Sequence, residues 1–364
     1  MYYNLSTALS QKGDYNQAIA VLKEVIRLDP QHQNAYQSLG HIFLTCGDYH
    51  EAVTVLRRAI ELVPNDFVAL KDLASALLGA GITEEAVTIY EQLLELDTVP
   101  MTESIANMAL AYLCAGKAEE ALTSSDSGLD IVSNDTSCLA FKSTALNHLG
   151  RRNEAGVLLN FNRLIFQKRF NSIDGYDATD EFNAKLSEYI VKHPDFGSTK
   201  LNRGLKSGES IPITFLEGQM PAVVETFHSM VLSAIHDYKE TAPIDLSHPF
   251  LTRHPDKTRI QWWGTRIQPH GYLDTHFHPV GWLSGVYYPI LPEAIDAHSQ
   301  NQEGWIQFGR EYYKIGSDDN PPVFTVKPET GLMVLFPSYF GHCTLPFSSA
   351  DERMSVAFDV IPVE

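Results

Sequence analysis

The sequence predicts an α+β multidomain protein, in which an α-solenoid of helical repeats precedes a β-rich domain of sandwich or jelly-roll type. Two observations support this fold class. The first half repeats itself about every 34 residues, and the second half changes to short apolar segments broken by glycine and proline. The chain has 364 residues, which is enough for two or three domains.

Five segments of the first half share a glycine that is followed, five residues later, by an alanine. The glycines are Gly13, Gly47, Gly81, Gly116 and Gly150, at steps of 34, 34, 35 and 34. The alanines are Ala18, Ala52, Ala86, Ala121 and Ala155. Glycine permits the turn between two helices, alanine lets the helices approach closely, and Pro30 and Pro64 end the second helix of two repeats.

This pattern resembles tetratricopeptide repeats over about residues 1–166. Stacked repeats of this kind form a superhelix whose concave face commonly holds a peptide or another protein. We therefore expect a peptide or protein partner in the repeat groove. The alternatives are that the repeats mediate homodimerisation or only pack on the second domain.

From Arg259 onward the sequence predicts a set of short strands. They are "RIQWWGTRI", "WLSGVYYPI", "GWIQFGR", "VFTVKP", "GLMVLFPS" and "RMSVAFDVIPV". Their regular spacing is typical of a sandwich or jelly roll. Residues 220–240 have helical periodicity and are expected to support the sheet. The predicted domains are 1–166 and 167–364, with the β core at about 259–360.

Three histidines and one arginine lie at or near the ends of the predicted strands. His276 and His278 in "HFHP" share one face of a strand, since side chains alternate along it. His342 follows "LFPSYFG", and Arg353 comes eleven residues later, with Ser355 on the same strand face. Histidines on one side of a metal leave positions free for a co-substrate and oxygen. The guanidinium of arginine can bind a carboxylate through two parallel hydrogen bonds.

Four motifs of the second half resemble those of the 2-oxoglutarate/Fe(II)-dependent oxygenases, and more narrowly of a bacterial and phage branch. They are "HFHP", "LSGVYYP", "LMVLFPSYFGHCTLPF" and "RMSVAFDV". The resemblance covers roughly residues 170–364 and implies a double-stranded β-helix with supporting helices. It also implies Fe(II) at His276 and His342, O2 as oxidant, and 2-oxoglutarate bound by Arg353 with help from Ser355.

The sequence departs from this family at the second metal ligand, where most members have aspartate or glutamate. His278 stands at that position. We expect a three-histidine site of His276, His278 and His342. Two alternatives stay open: His278 lies behind the site while water fills the position, or Asp274 supplies the carboxylate. If all three histidines bind the metal, Asp274 is expected to hydrogen-bond one of these histidines without contacting the metal.

Aromatic residues near the histidines have two interpretations. Alternation on the strand places one of Tyr287 and Tyr288 toward the cavity, and we expect Tyr288 to hydrogen-bond 2-oxoglutarate. Packing of both rings in the sheet is the alternative. Trp262 and Trp263 either line the substrate entrance or fill the core.

Composition narrows the partners and the compartment. The formal net charge of −18 disfavours binding to nucleic acid or to anionic membranes, because both attract basic surfaces. The first residues lack the basic and apolar segments of a signal peptide, and no apolar stretch is long enough to span a bilayer. Four distant cysteines indicate a reduced protein without a disulfide framework. We expect a cytoplasmic protein.

The expected function is hydroxylation of a peptide or protein side chain that the repeats recruit. The first alternative is the same chemistry on a small molecule or carrier-bound metabolite, with the repeats serving dimerisation or partner binding. The second is a non-enzymatic adaptor with a degenerate oxygenase domain. The third is thiol oxidation at a three-histidine iron site that uses no 2-oxoglutarate.

Overall fold

The computed structural model describes residues 2–96, 102–193, 205–212, 220–296, 302–311, 321–349 and 351–363. The chain divides into two compact units, Met1–Val132 and Ser133–Glu364. Among the described residues, no helix is both long and apolar enough to cross a membrane.

The first unit is built from helices that pack in sequence order. Its described helices are α1 (Tyr2–Gln11), α2 (Tyr15–Leu28), α3 (Gln33–Cys46), α4 (Tyr49–Leu62), α5 (Phe67–Gly79), α6 (Thr83–Leu96), α7 (Thr102–Cys114) and α8 (Ala118–Ile131).

The repeat glycines and alanines have the roles that the sequence predicts. Gly47 ends α3 in the left-handed conformation, with φ of 85°, which costs glycine little because it has no Cβ. Ala52 is fully buried. Gly40 marks the closest approach of α3 and α4, since a Cβ there would lie 2.4 Å from Cγ of Leu56. The repeat pattern therefore produces pairs of closely packed helices.

The second unit combines helices with an antiparallel sheet. Its described helices are α9 (Thr136–His148), α10 (Arg152–Leu158), α11 (Phe161–Leu164), α12 (Thr179–Lys192), α13 (Ala222–Thr241) and α14 (Glu293–Asp296). Its described strands are β1 (Phe166–Arg169), β2 (Leu205–Pro212), β3 (Thr258–His276), β4 (Leu283–Ile290), β5 (Ile306–Phe308), β6 (Phe324–Val326), β7 (Leu332–Pro337), β8 (His342–Thr344) and β9 (Arg353–Pro362).

The described strands follow the order β1-β7-β4-β9-β3-β8-β5-β6, and β2 also pairs with β3. The long strand β3 connects two parts of the sheet. Its segment Thr258–Ile267 pairs with β9, and after an irregularity its end pairs with β8, where His276 lies opposite His342. His270, with φ of 64°, lies between Ile267 and Tyr272, where the pairing of β3 with β2 shifts register. On either side of this segment, β3 contacts the strand of Arg353 and the strand of His342.

Helices α12 and α13 cover one face of this sheet. The ring of Phe227 in α13 stacks on Trp262 at 5.0 Å between centroids. Gly264 leaves room for α12, because a Cβ there would lie 2.5 Å from Cγ2 of Ile190. Since side chains alternate along a strand, Trp263 and Thr265 point to the other face. That face lines a cavity.

The predicted α+β multidomain class, with helical repeats and a β-rich C-terminal part, is confirmed. All six predicted strands coincide with β3, β4, β5, β6, β7 and β9, and the predicted helix at 220–240 is α13. The sequence interpretation missed β1, β2, the short β8 and the continuity of β3 from Thr258 to His276. The expectation that His276 and His278 share one strand face is wrong, because β3 ends at His276 and His278 lies at the start of the turn that follows.

The compact units divide after Val132, whereas the repeat pattern continues to about residue 166. The fifth repeat contacts the β part of the second unit. The hydroxyl of Thr136 in α9 donates to the carbonyl of Gly281 at 2.8 Å, and the hydroxyl of Tyr339 donates to the carbonyl of Leu158 in α10. The boundary at residue 166 is therefore a prediction for the end of the repeat sequence, and the compact units divide earlier in the chain.

Candidate metal and carboxylate site

Three histidines from two neighbouring strands and a turn meet in one place. Ligand nitrogens of His276, His278 and His342 all lie within 4.8 Å of one another. The rings of His276 and His342 are 4.3 Å apart between centroids, and the ring of His278 lies 5.2 Å from each. A metal about 2.1 Å from each nitrogen would draw them slightly together. The arrangement has the size of a metal site.

Each histidine uses its Nδ1 atom in a hydrogen bond away from the cluster. Nδ1 of His276 contacts the carbonyl of Asp274 at 2.8 Å, and Nδ1 of His342 contacts the carbonyl of Phe340 at 2.9 Å. A carbonyl oxygen only accepts, so Nδ1 carries the proton and Nε2 keeps a free lone pair. This is the state in which neutral imidazole binds a metal.

His278 is held by side chains rather than by a backbone carbonyl. Its Nδ1 lies 2.9 Å from Oδ2 of Asp359, and Oδ1 of Asp359 accepts a hydrogen bond of 2.7 Å from the hydroxyl of Ser284. The Nε2 atom of His278 is buried and has no hydrogen-bond partner among the described residues. A buried nitrogen without a partner is costly unless a ligand completes it.

The surroundings favour uncharged imidazoles. Desolvation, reinforced by nearby His278, lowers the pKa of His276 to about 4. Burial also lowers the pKa of His342 well below its ordinary value. Both rings are therefore neutral near pH 7 and can donate a lone pair.

A buried cation lies in the same cavity. Arg353 is only 2% exposed, and its Nη1 donates to the hydroxyl of Thr344 at 3.2 Å. Its guanidinium carbon lies 5.2 Å from the ring centroid of Tyr288. No carboxylate of the described residues lies within ion-pair distance of Arg353, and its Nε atom has no partner among them. Burial lowers the pKa of this guanidinium.

The three histidines and the arginine line one cavity. The cavity wall also includes Tyr288, Ser355, Thr344, Thr265, Trp263 and the apolar residues Leu273, Ile306 and Phe336. On β9 the residues Arg353, Ser355 and Ala357 alternate toward it, as a strand requires. A ligand with a metal-binding end and an anionic end would meet complementary groups at both.

Of each pair of neighbouring aromatic residues, one lines the cavity and the other packs on the opposite face of the sheet. Tyr288 lines the cavity with its hydroxyl unpartnered among the described residues, whereas the hydroxyl of Tyr287 donates to Asn183 of α12 at 2.7 Å. Trp263 lines the cavity and stacks on His278 at 5.4 Å, while Trp262 is buried against α13.

Asp274 does not join the histidine cluster. Asp274 is exposed, and its backbone carbonyl oxygen contacts Nδ1 of His276. Its carboxylate is not part of the cluster of ligand atoms. Sequence interpretation missed Asp359 and Thr344. Alternation from Arg353 along β9 would have placed Asp359 on the cavity face, and alternation from His342 along β8 would have done the same for Thr344.

Comparison with known families agrees with this geometry. Residues 261–359 match the family described as "Putative 2OG-Fe(II) oxygenase". Residues 9–66 and 43–100 match the tetratricopeptide repeat. The chain therefore joins tetratricopeptide repeats to a C-terminal segment that matches this oxygenase family model. The oxygenase match contains His276, His278, His342 and Arg353, and it confirms the fusion that the motifs predicted.

The solved structures that resemble the chain include MamA and YrrB. MamA from Desulfovibrio magneticus RS-1 is 20% identical, with 44% of this chain and 89% of that chain covered and a TM-score of 0.42. YrrB, "a TPR protein with an unusual peptide-binding site", is 18% identical, with 44% and 81% covered and a TM-score of 0.40. No curated protein matches the chain.

Proposed function

We propose that the chain is a non-haem Fe(II)- and 2-oxoglutarate-dependent oxygenase that hydroxylates a peptide or protein side chain. The observation that carries the proposal is the shared cavity of the second unit. It combines three histidines with free Nε2 lone pairs and a buried arginine without a carboxylate partner among the described residues.

The metal fits the histidine cluster. His276, His278 and His342 would hold it through their Nε2 atoms, because all three Nδ1 atoms are already occupied. Imidazole nitrogens suit Fe(II), and they also suit zinc, nickel and copper. The histidine set therefore supports a transition metal, and the family match favours iron.

The co-substrate fits the arginine end of the cavity. Arg353 would bind the distal carboxylate of 2-oxoglutarate, with Tyr288 and Ser355 as further hydrogen-bond donors. When bound, iron and 2-oxoglutarate together activate O2, and the products are succinate, carbon dioxide and a hydroxylated substrate. Leu273, Ile306 and other apolar walls exclude water, which strengthens the carboxylate–guanidinium contact.

A peptide or protein substrate is favoured by the repeats. The first unit has a groove whose wall combines apolar residues such as Leu22 and Ile42 with the polar residues Gln37, His41 and Asp72. Nδ1 of His41 lies 3.4 Å from the Asp72 carboxylate, and the His41 side chain is 67% exposed. These groups can hydrogen-bond a peptide backbone or a polar side chain.

Measurement of succinate tests the oxygenase proposal. The full chain with Fe(II), 2-oxoglutarate and O2 should form succinate slowly alone and faster with a substrate peptide. His342→Ala should reduce both rates to background, because it removes a metal ligand, while His236→Ala, on α13, should not. Absence of succinate under every condition, with no iron bound, would contradict the proposal.

Substitution in the groove tests the substrate class. His41→Ala should raise KM for a protein substrate and leave kcat unchanged, since the groove contributes binding and not chemistry. Turnover of a small molecule with the same KM in both proteins would favour the small-molecule alternative.

A further inference from the structure

We propose that Asp359 acts from behind His278 as the carboxylate of the metal centre. It would position His278 as the third ligand and supply, one imidazole ring away, the negative charge that most related oxygenases place on the metal itself. This inference rests on the proposed function, because it assumes that the histidine cluster binds a metal.

The position of Asp359 supports this role. The residue is 6% exposed, and both carboxylate oxygens are engaged. Nδ1 of His278 lies 2.9 Å from each of them, and Oδ1 also accepts from the hydroxyl of Ser284 at 2.7 Å. Ser284 in turn lies 2.9 Å from the hydroxyl of Ser338, and the backbone N–H of His278 donates to the carbonyl of Ser338 at 3.0 Å. The carboxylate and the imidazole are thus fixed by the same small network.

The protonation of His278 follows from this contact. A carboxylate accepts hydrogen bonds, so this contact places a proton on Nδ1 of His278, and in the neutral ring the lone pair is then on Nε2. This Nε2 atom is buried and has no partner among the described residues. It belongs to the cluster whose ligand atoms lie within 4.8 Å of one another. Asp359 therefore selects the tautomer that can bind a metal.

The three histidines differ in what stands behind them. His276 and His342 each contact a neutral backbone carbonyl, whereas His278 contacts a carboxylate. His278 is also the residue that occupies the position of the usual acidic ligand. A metal bound by three neutral imidazoles would keep its full double charge, and Asp359 restores one negative charge nearby. An anionic partner also makes the imidazole a stronger ligand.

The register of the sheet makes this arrangement specific. Ser284 on β4 lies directly opposite Asp359 on β9, so their side chains share the cavity face. Arg353 lies six residues before Asp359 on the same face of β9. One strand face therefore carries the cation for the co-substrate at one end and the anion for the metal centre at the other.

Metal affinity without turnover tests the inference. Co(II) is titrated into metal-free full-length protein by calorimetry, for the wild type, Asp359→Asn and Asp351→Asn. Asparagine keeps the size and one acceptor oxygen but removes the charge. We expect Asp359→Asn to bind Co(II) about 10- to 100-fold more weakly. The matched control Asp351→Asn, an exposed residue just before β9, should bind as the wild type does.

Equal Co(II) affinity in Asp359→Asn and wild type would overturn the inference. If circular dichroism shows that Asp359→Asn does not fold, Ser284→Ala decides: it removes the donor to Asp359 and should weaken Co(II) binding by a smaller factor, and unchanged affinity would again overturn the inference. Failure of the wild type to bind Co(II) would instead contradict the proposed metal site, so the two failures are distinguishable.

Discussion

Replacing Arg353 by methionine should weaken 2-oxoglutarate binding without destabilising the folded protein. Methionine keeps an unbranched side chain over Tyr288 but removes the guanidinium. Truncating one partner of a buried, hydrogen-bonded charge pair costs about 2–5 kcal/mol, so affinity for 2-oxoglutarate should fall by at least about 30-fold, since 1.4 kcal/mol is about tenfold. The assay is calorimetric titration of 2-oxoglutarate into Mn(II)-loaded protein, with the exposed Arg259→Met as the matched control.

The same substitution should not destabilise the protein without ligand. Arg353 is a buried cation without a carboxylate partner among the described residues, so the folded protein bears the cost of desolvating its charge, and methionine removes that cost. Loss of the hydrogen bond to Thr344 costs about 1 kcal/mol. The midpoint of thermal unfolding should therefore be equal or higher. Unchanged 2-oxoglutarate affinity, or a clearly lower midpoint, would refute this reasoning.

Two further predictions concern the sheet. Tyr287→Phe should lower the free energy of unfolding by about 1 kcal/mol, because it loses its hydrogen bond to α12, and should leave 2-oxoglutarate affinity unchanged. Tyr288→Phe should weaken 2-oxoglutarate binding and leave the free energy of unfolding unchanged, because its hydroxyl faces the cavity and has no partner among the described residues. Calorimetry and denaturant unfolding of both variants check these two expectations. Gly264→Ala should destabilise by about 1–3 kcal/mol, because its Cβ would lie 2.5 Å from Ile190, whereas Gly156→Ala, with no heavy atom within 4 Å, should not. Equal unfolding midpoints for the two alanine variants would contradict the packing argument.

The repeats and most strands were predictable because their signals are local. A glycine at each helix turn and a buried alanine five residues later are properties of single repeats, and alternation in "RMSVAFDV" fixes which residues share a face. Short strands were harder: β8 has three residues and too little pattern to be recognised. The continuity of β3 was missed because Pro269 and Gly271 are typical of a turn, whereas in the structure they lie where the pairing of β3 with β2 shifts register.

The candidate site was only partly predictable from sequence. Spacing brought together His276, His278, His342 and Arg353, which the structure places around one cavity. The contact between His278 and Asp359 joins residues 81 positions apart and depends on sheet register. Strand alternation could have placed Asp359 on the cavity face, but no local pattern specifies the register that brings it to His278.

A crystal structure of the protein with Mn(II) and 2-oxoglutarate, grown without oxygen, tests the central claim most directly. We expect anomalous scattering to place the metal in contact with Nε2 of His276, His278 and His342, and the distal carboxylate of 2-oxoglutarate to lie against Arg353. A metal bound by His276 and His342 alone, with water in place of His278, would contradict the three-histidine site. A carboxylate held away from Arg353 would contradict the co-substrate assignment.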